Sequence, residues 1–188
     1  MNYAHEEQYK GYGINIAYDE NVDNPFDMDE GLGAFFCWDN RDELDMYCEA
    51  LGYDKETREK IAEDKPDAVR IDKYEHSGVS YSVAGEGMQC HWDTSHTWAV
   101  WLPNKCLLTE LKNLKGKARR AKCVQFAREA CEVFNKWANG EVYGFMVEFN
   151  EVDIDSCWGF YDIEDAITEA KSIVDWNIKE SRKLQLQY

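Results

Sequence analysis

Apolar and polar positions alternate along Tyr12-Gly13-Ile14-Asn15-Ile16-Ala17-Tyr18, the period-two pattern of a strand with one buried face. Residues 19–33 lose that period. Six acids (Asp19, Glu20, Asp23, Asp27, Asp29 and Glu30) surround Pro25, which predicts a solvated loop because like charges repel in compact packing. The apolar run Gly33–Trp38 predicts a short buried strand. Leu44, Tyr47, Cys48 and Leu51 recur at helical spacing behind Asp39 or Asn40 as N-cap, with Gly52 where a helix would stop. A second short helix is expected from Lys55 to Glu63, ahead of Pro66.

Strand patterns return at Val69–Tyr74, Val79–Val83 and Thr97–Leu102, punctuated by Gly78 and by Gly85-Glu86-Gly87. Helical spacing takes over at Cys106–Leu114. After Gly116 the residues Val124, Ala127, Cys131, Phe134 and Ala138 mark the apolar face of a longer helix, closed by Asn139-Gly140. Val142–Phe149 and Ile154–Tyr161 flank the polar turn Asn150-Glu151-Val152-Asp153 and predict an antiparallel hairpin at the sheet centre, with Phe145, Val147, Cys157, Trp158 and Phe160 buried. Ile163, Ala166, Ile167, Ala170, Val174 and Ile178 share one side of a last helix capped by Asp162. No regular βαβ alternation exists. The expected class is α+β: a largely antiparallel sheet of about five to six strands with a long central helix, a C-terminal helix and short N-terminal helices. Residues 1–188 are read as one domain, with an acidic loop and helical insertion over about 19–66.

Composition narrows the function classes. With 44% hydrophobic and 14% aromatic residues the chain can bury a core, which excludes a disordered protein. Met1–Gly13 lacks the basic-then-apolar order of an export signal, and no stretch approaches the roughly 18 apolar residues of a membrane helix. Seven cysteines at no framework spacing read as reduced thiols, so a cytoplasmic location is expected, with no membrane partner. Net charge is -16 but uneven: residues 1–103 hold 23 acids and 8 bases, 104–140 hold 3 and 9, and 141–188 hold 11 and 4. The overall charge disfavours direct nucleic-acid binding.

Several segments together carry a resemblance: Leu32-Gly33-Ala34-Phe35-Phe36-Cys37, Tyr74-Glu75-His76-Ser77-Gly78, Cys90-His91-Trp92-Asp93-Thr94, Gly140–Phe145, and Asp155-Ser156-Cys157-Trp158-Gly159-Phe160-Tyr161. In this order they resemble a family of uncharacterised small proteins of bacteriophages and mobile elements. The resemblance implies a phage setting and assigns no catalytic residue.

Candidate chemistry is sparse. His76, Asp93, His96, Asp155 and Cys157 form an alternative site with the residue types of a Cys/His nucleophile or a metal centre, and Cys90 and His91 lie beside it. Adjacent Cys90 and His91 point to opposite faces of an extended segment, and Cys-x-x-Cys, Walker and Gly-x-Ser-x-Gly patterns are all lacking, so no metal, cofactor or catalytic residue is assigned. Lys112, Lys115, Lys117, Arg119, Arg120 and Lys122, with Arg128, could contact phosphates or pair with the protein's own acids. Trp98 and Trp101 are expected on opposite faces of one strand, one of them near the surface, where exposed aromatics suit a protein partner. The acids Asp19, Glu20, Asp23, Asp27, Asp29 and Glu30, continued by Asp39, Asp42, Glu43, Asp45 and Glu49, are the expected docking surface. The partner would be a host protein or ribonucleoprotein whose basic nucleic-acid channel the carboxylates occupy. With the phage setting in a bacterial host that the resemblance implies, the expected function is that of a non-enzymatic anti-defence inhibitor, acting on a restriction or CRISPR complex.

Overall fold

A computed structural model describes residues 3–25, 32–37 and 65–185. The helices expected over 44–51 and 55–63, and the acids Asp27, Asp29, Glu30, Asp39, Asp42, Glu43, Asp45 and Glu49, lie outside the described residues. The chain divides into two compact units, one formed by Met1–Val22 with Gly140–Tyr188 and the other by Asp23–Asn139.

The first unit is a four-stranded antiparallel sheet under one helix. Strands β1 (Tyr3–Tyr9) and β2 (Tyr12–Tyr18) form a hairpin through Lys10 and Gly11, both at positive φ. Strands β7 (Tyr143–Phe149) and β8 (Val152–Phe160) form another through Asn150 and Glu151, again both at positive φ, the backbone that a two-residue hairpin turn requires. The sheet order is β1-β2-β7-β8. Ile14 and Ile16 of β2 and Phe145 and Val147 of β7 are buried against Ala166, Ala170 and Val174 of the C-terminal helix α3 (Ile163–Gln185). The four-residue spacing of those helical positions puts two methyl-sized side chains on one face, so the helix can lie close to the sheet.

The second unit is a sheet of order β3-β6-β4-β5, all antiparallel, from β3 (Ala34–Cys37), β4 (Val69–Glu75), β5 (Val79–Val83) and β6 (Thr94–Leu102). Helices α1 (Lys105–Leu111) and α2 (Gly116–Ala138) cover one face. Asn104 caps α1 by accepting from the Leu107 N–H. Phe134 sits at the centre of an aromatic cluster, with ring centroids 4.7 Å from Tyr81, 5.3 Å from Phe35 and 5.3 Å from Trp137. Strand β5 lies at the end of the sheet order, yet its free backbone is paired: Asn135 exchanges two bonds with Tyr81 (2.6 and 3.0 Å) and Asn139 exchanges two with Val79 (3.2 and 2.8 Å). One helical turn rises about 5.4–6 Å and two strand residues span about 6.6 Å, so the two amides match alternate strand residues.

These findings correct the expected architecture in four places. The α+β content stands, but the strands form two sheets of four, not one of about five to six. The long helix over 116–138 layers on only one of them and is not central to a common sheet. The β7–β8 hairpin forms, yet β8 is an edge strand whose residues are exposed from Val152 to Gly159, so Cys157 is exposed and Phe160 only half-buried. Trp158 is 41% exposed, its indole lying over Gly144 of β7, where a side chain would clash with it. Finally, Trp98 and Trp101 are both buried: beyond an irregularity of β6 around Thr97, at positive φ, every residue from Trp98 to Leu102 is buried, so both faces of that stretch are covered.

Candidate functional site

The loop from Ala84 to Asp93, between β5 and β6, exposes its largest side chains while fixing its backbone. Trp92 is 87% exposed and Met88 65%, with the His91 ring edge-on to the indole at 4.8 Å. Beneath them Asp72 is the one buried acid among the described residues. Its carboxylate accepts from the Thr97 N–H at 2.8 Å and the Gly85 N–H at 3.0 Å, tying the loop start to the β6 irregularity, and His96 Nδ1 approaches it at 3.5 Å. Burial alone would raise its pKa; the bonds from Thr97, Gly85, His96 and Gln89 outweigh that and hold it below the usual carboxylate value.

The far end of the loop is held by Thr94. Its Oγ1 accepts from the Cys90 N–H and donates to the Met88 carbonyl, each at 2.9 Å, while its own N–H donates to the Cys90 carbonyl at 3.0 Å. The Asp93 carbonyl accepts from Glu75 N–H of β4 at 2.9 Å. Glu86, in the first turn, receives a bidentate pair from Arg128 of α2 at 2.6 Å on each oxygen, and Arg128 keeps the Glu86 carboxyl below its ordinary pKa. Sequence reasoning missed Trp92 and Met88 as a presented pair. The signal was available in Gly85-Glu86-Gly87 followed by Met88-Gln89-Cys90-His91-Trp92, a turn followed by large side chains without strand alternation.

Of the alternative site, the structure brings together His76 and Asp93. His76 Nδ1 lies 3.4 Å from Asp93 Oδ2, and Cys90 Sγ donates to the same oxygen at 3.2 Å. Both groups converge on one carboxylate oxygen, which engages the thiol as a hydrogen-bond donor. His96 faces Asp72 instead, and Asp155 and Cys157 belong to β8 of the other unit. Among the described residues no cluster of three or more His, Cys, Asp or Glu could hold a metal ion.

The basic segment is partly spent on the protein's own acids. Arg119 makes a bidentate pair with Asp67 (2.6 and 2.5 Å) and donates to the Leu111 carbonyl (2.7 Å), while Arg120 donates to the Ala68 carbonyl. Arg119 holds the Asp67 carboxyl below its usual pKa. Lys122 reaches Gln125 of its own helix, and Lys112, Lys115 and Lys117 are exposed. Of the expected acidic surface, Asp19 closes a turn by accepting from Asn21 N–H (3.2 Å) and donating its own N–H to Val142 O (2.8 Å), whereas Glu20 and Asp23 are exposed.

Among the described residues no helix is long and apolar enough to cross a membrane. No protein-family model matches the chain, and neither the curated proteins nor the solved structures contain a match.

Proposed function

We propose that the protein is a non-enzymatic binding protein of the phage anti-defence type, which inhibits a nucleic-acid-handling complex by docking on it through the Ala84–Asp93 loop. The observation that carries this reading is Trp92, 87% exposed on a loop whose two ends are tied down by Asp72 and Thr94. An indole held out on a fixed backbone loses little conformational freedom on binding, and buried tryptophans dominate the energetics of protein interfaces. Net charge supports the class of partner: a chain at -16 is steered toward a positive surface such as a nucleic-acid channel. The resemblance to phage proteins supports the setting.

The test is capture by the immobilised full chain from a bacterial lysate, followed by identification and competition. A restriction, CRISPR or related nucleic-acid-handling complex should be retained, released by duplex or single-stranded competitor, and lost steeply with salt. Trp92→Ala should weaken that complex by roughly thirtyfold, the loss of an interface anchor worth about 2 kcal/mol, without changing the melting temperature. Retention that neither the substitution nor nucleic acid affects would refute the proposal.

A further inference from the structure

The first unit carries a second feature, independent of the docking loop. A groove of about 1160 Å³ opens between the β1–β2 turn, the end of β7 and the last turns of α3. Its apolar lining is Tyr12, Phe149 and Ile178, with the Tyr12 and Phe149 rings 4.6 Å apart and tilted by 33°. Phe149 is 40% exposed, an aromatic face that the unit's own core leaves open. The remaining lining is cationic: Lys10, Lys179, Arg182 and Lys183, beside Asp175 and Ser181.

That concentration of bases runs against the unit's charge. Residues 1–22 and 140–188 hold 15 acids and only 5 bases, and four of those five line this groove. Asp175 is neutralised locally, since Lys10 Nζ bonds its Oδ1 at 2.6 Å and pins the β1–β2 turn to α3. Lys183 pairs with Glu180 at 2.5 Å. Lys179 and Arg182 are exposed and carry the charge left available at the rim. Basic residues in a last helical turn complement the helix dipole, but that accounts neither for Lys10, which comes from a β-turn, nor for the open aromatic floor.

We propose that this groove is a binding site for a small organic anion with a flat apolar body: the aromatic floor stacks the body and the Lys179/Arg182 rim holds the anionic group. The groove is open rather than enclosed, so its volume is an upper bound: it admits a ligand of two or more rings with one face left to solvent. A long polyanion is disfavoured, because beyond the groove it would meet the remaining acids of a unit at -10.

The experiment titrates the full chain with 8-anilinonaphthalene-1-sulfonate and, in parallel, with its neutral analogue N-phenyl-1-naphthylamine, reading fluorescence. The sulfonate should saturate at one site per chain and bind roughly tenfold more tightly than the neutral probe. Lys179→Glu with Arg182→Glu should remove that preference and leave neutral-probe binding unchanged, and Phe149→Ala should weaken both probes. Should the charge reversal lower the melting temperature, Lys179→Gln with Arg182→Gln gives the same comparison at exposed positions, again with loss of the preference expected. Equal affinity for the two probes, or a preference that survives both pairs of substitutions, overturns the proposal.

Discussion

Replacing Asp72 by Asn tests whether a single buried carboxylate organises the Ala84–Asp93 loop. The side chain keeps its shape, but one of two acceptor oxygens becomes an NH₂ group facing a backbone N–H. Hydrogen bonds to a charged acceptor contribute about 1.5–3 kcal/mol each. Thr97 is half-buried, whereas Gly85 lies at the surface where water can substitute. The expected loss is therefore about 2 kcal/mol for Asp72→Asn and about 3 kcal/mol for Asp72→Ala, large against a domain stability of roughly 5–15 kcal/mol. The pH dependence follows from linkage: the folded-state pKa lies below the ordinary carboxylate value of 3.8, so this contribution is complete above 3.8 and is lost as pH falls through the folded-state value. Urea unfolding followed by tryptophan fluorescence reports on it, because Trp98 and Trp101 are buried near Thr97. The difference between parent and Asp72→Asn should be full at neutral pH and shrink below pH 3.8. A difference under about 0.5 kcal/mol at neutral pH, or one that grows in acid, would refute the reasoning.

Three further outcomes are expected. Gly144→Ala should destabilise by about 1–3 kcal/mol through overpacking against Trp158, and most of that should vanish in a Trp158→Ala background, a coupling of about 1 kcal/mol or more in a double-mutant cycle. Asp67→Asn should cost about 1–2 kcal/mol in urea unfolding by leaving the Arg119 fork half-paired; no change would mean that the pair contributes little. Burial pushes the Cys131 thiol up to about 12 and the Cys123 thiol up to about 11, so iodoacetamide at mildly alkaline pH should label exposed Cys106 and Cys157 and spare Cys123 and Cys131 until the chain unfolds, as read by peptide mass mapping.

Legibility in the sequence tracked how much one local pattern decided. Tyr12–Tyr18 and Val79–Val83 have the expected limits because alternation or an apolar run was uninterrupted, and the Gly116–Ala138 helix followed from its periodic face and the Asn139-Gly140 stop. Tyr3–Tyr9 was missed because His5, Glu6, Glu7 and Gln8 look like a polar terminus, although an edge strand needs little apolar character. Sheet membership was not legible, since which hairpins pair is decided by contacts distant in sequence. The β6 irregularity was hidden for a related reason, since Asp72, which accepts from the Thr97 N–H, lies in another strand; and Trp98 and Trp101 read as a pair with one outer face because alternation alone does not show that both faces of β6 are covered. The candidate site was legible as residues but not as roles, because exposure of Trp92 depends on a hydrogen-bond scaffold that spans β4, β6 and the loop.

The order of strands also carries a consequence for folding. Strands β2 and β7 pair directly, Tyr18 opposite Tyr143, yet the second unit, 117 residues long, separates them in sequence. Closing a flexible loop of that length instead of a four-residue turn costs about 3 kcal/mol. The first unit has 71 residues, a size at which one core rarely supplies more than about 3–5 kcal/mol. Subtracting that cost leaves about 0–2 kcal/mol, so the sheet is marginal unless the inserted unit is folded and spares it that closure entropy. In the full chain, Asp72→Asn should therefore reduce amide-exchange protection in β2 and β7 as well as in β4 and β6, although Asp72 lies in the other unit. A chain joining residues 1–22 to 140–188 through a four-residue Gly-Asn turn should fold cooperatively, with helix and sheet signals in circular dichroism, since Asp19 and Val142 already meet through a 2.8 Å backbone bond. Unchanged β2 and β7 protection in the Asp72→Asn protein would show that the first unit holds its sheet without help from the inserted one, and that the closure argument fails.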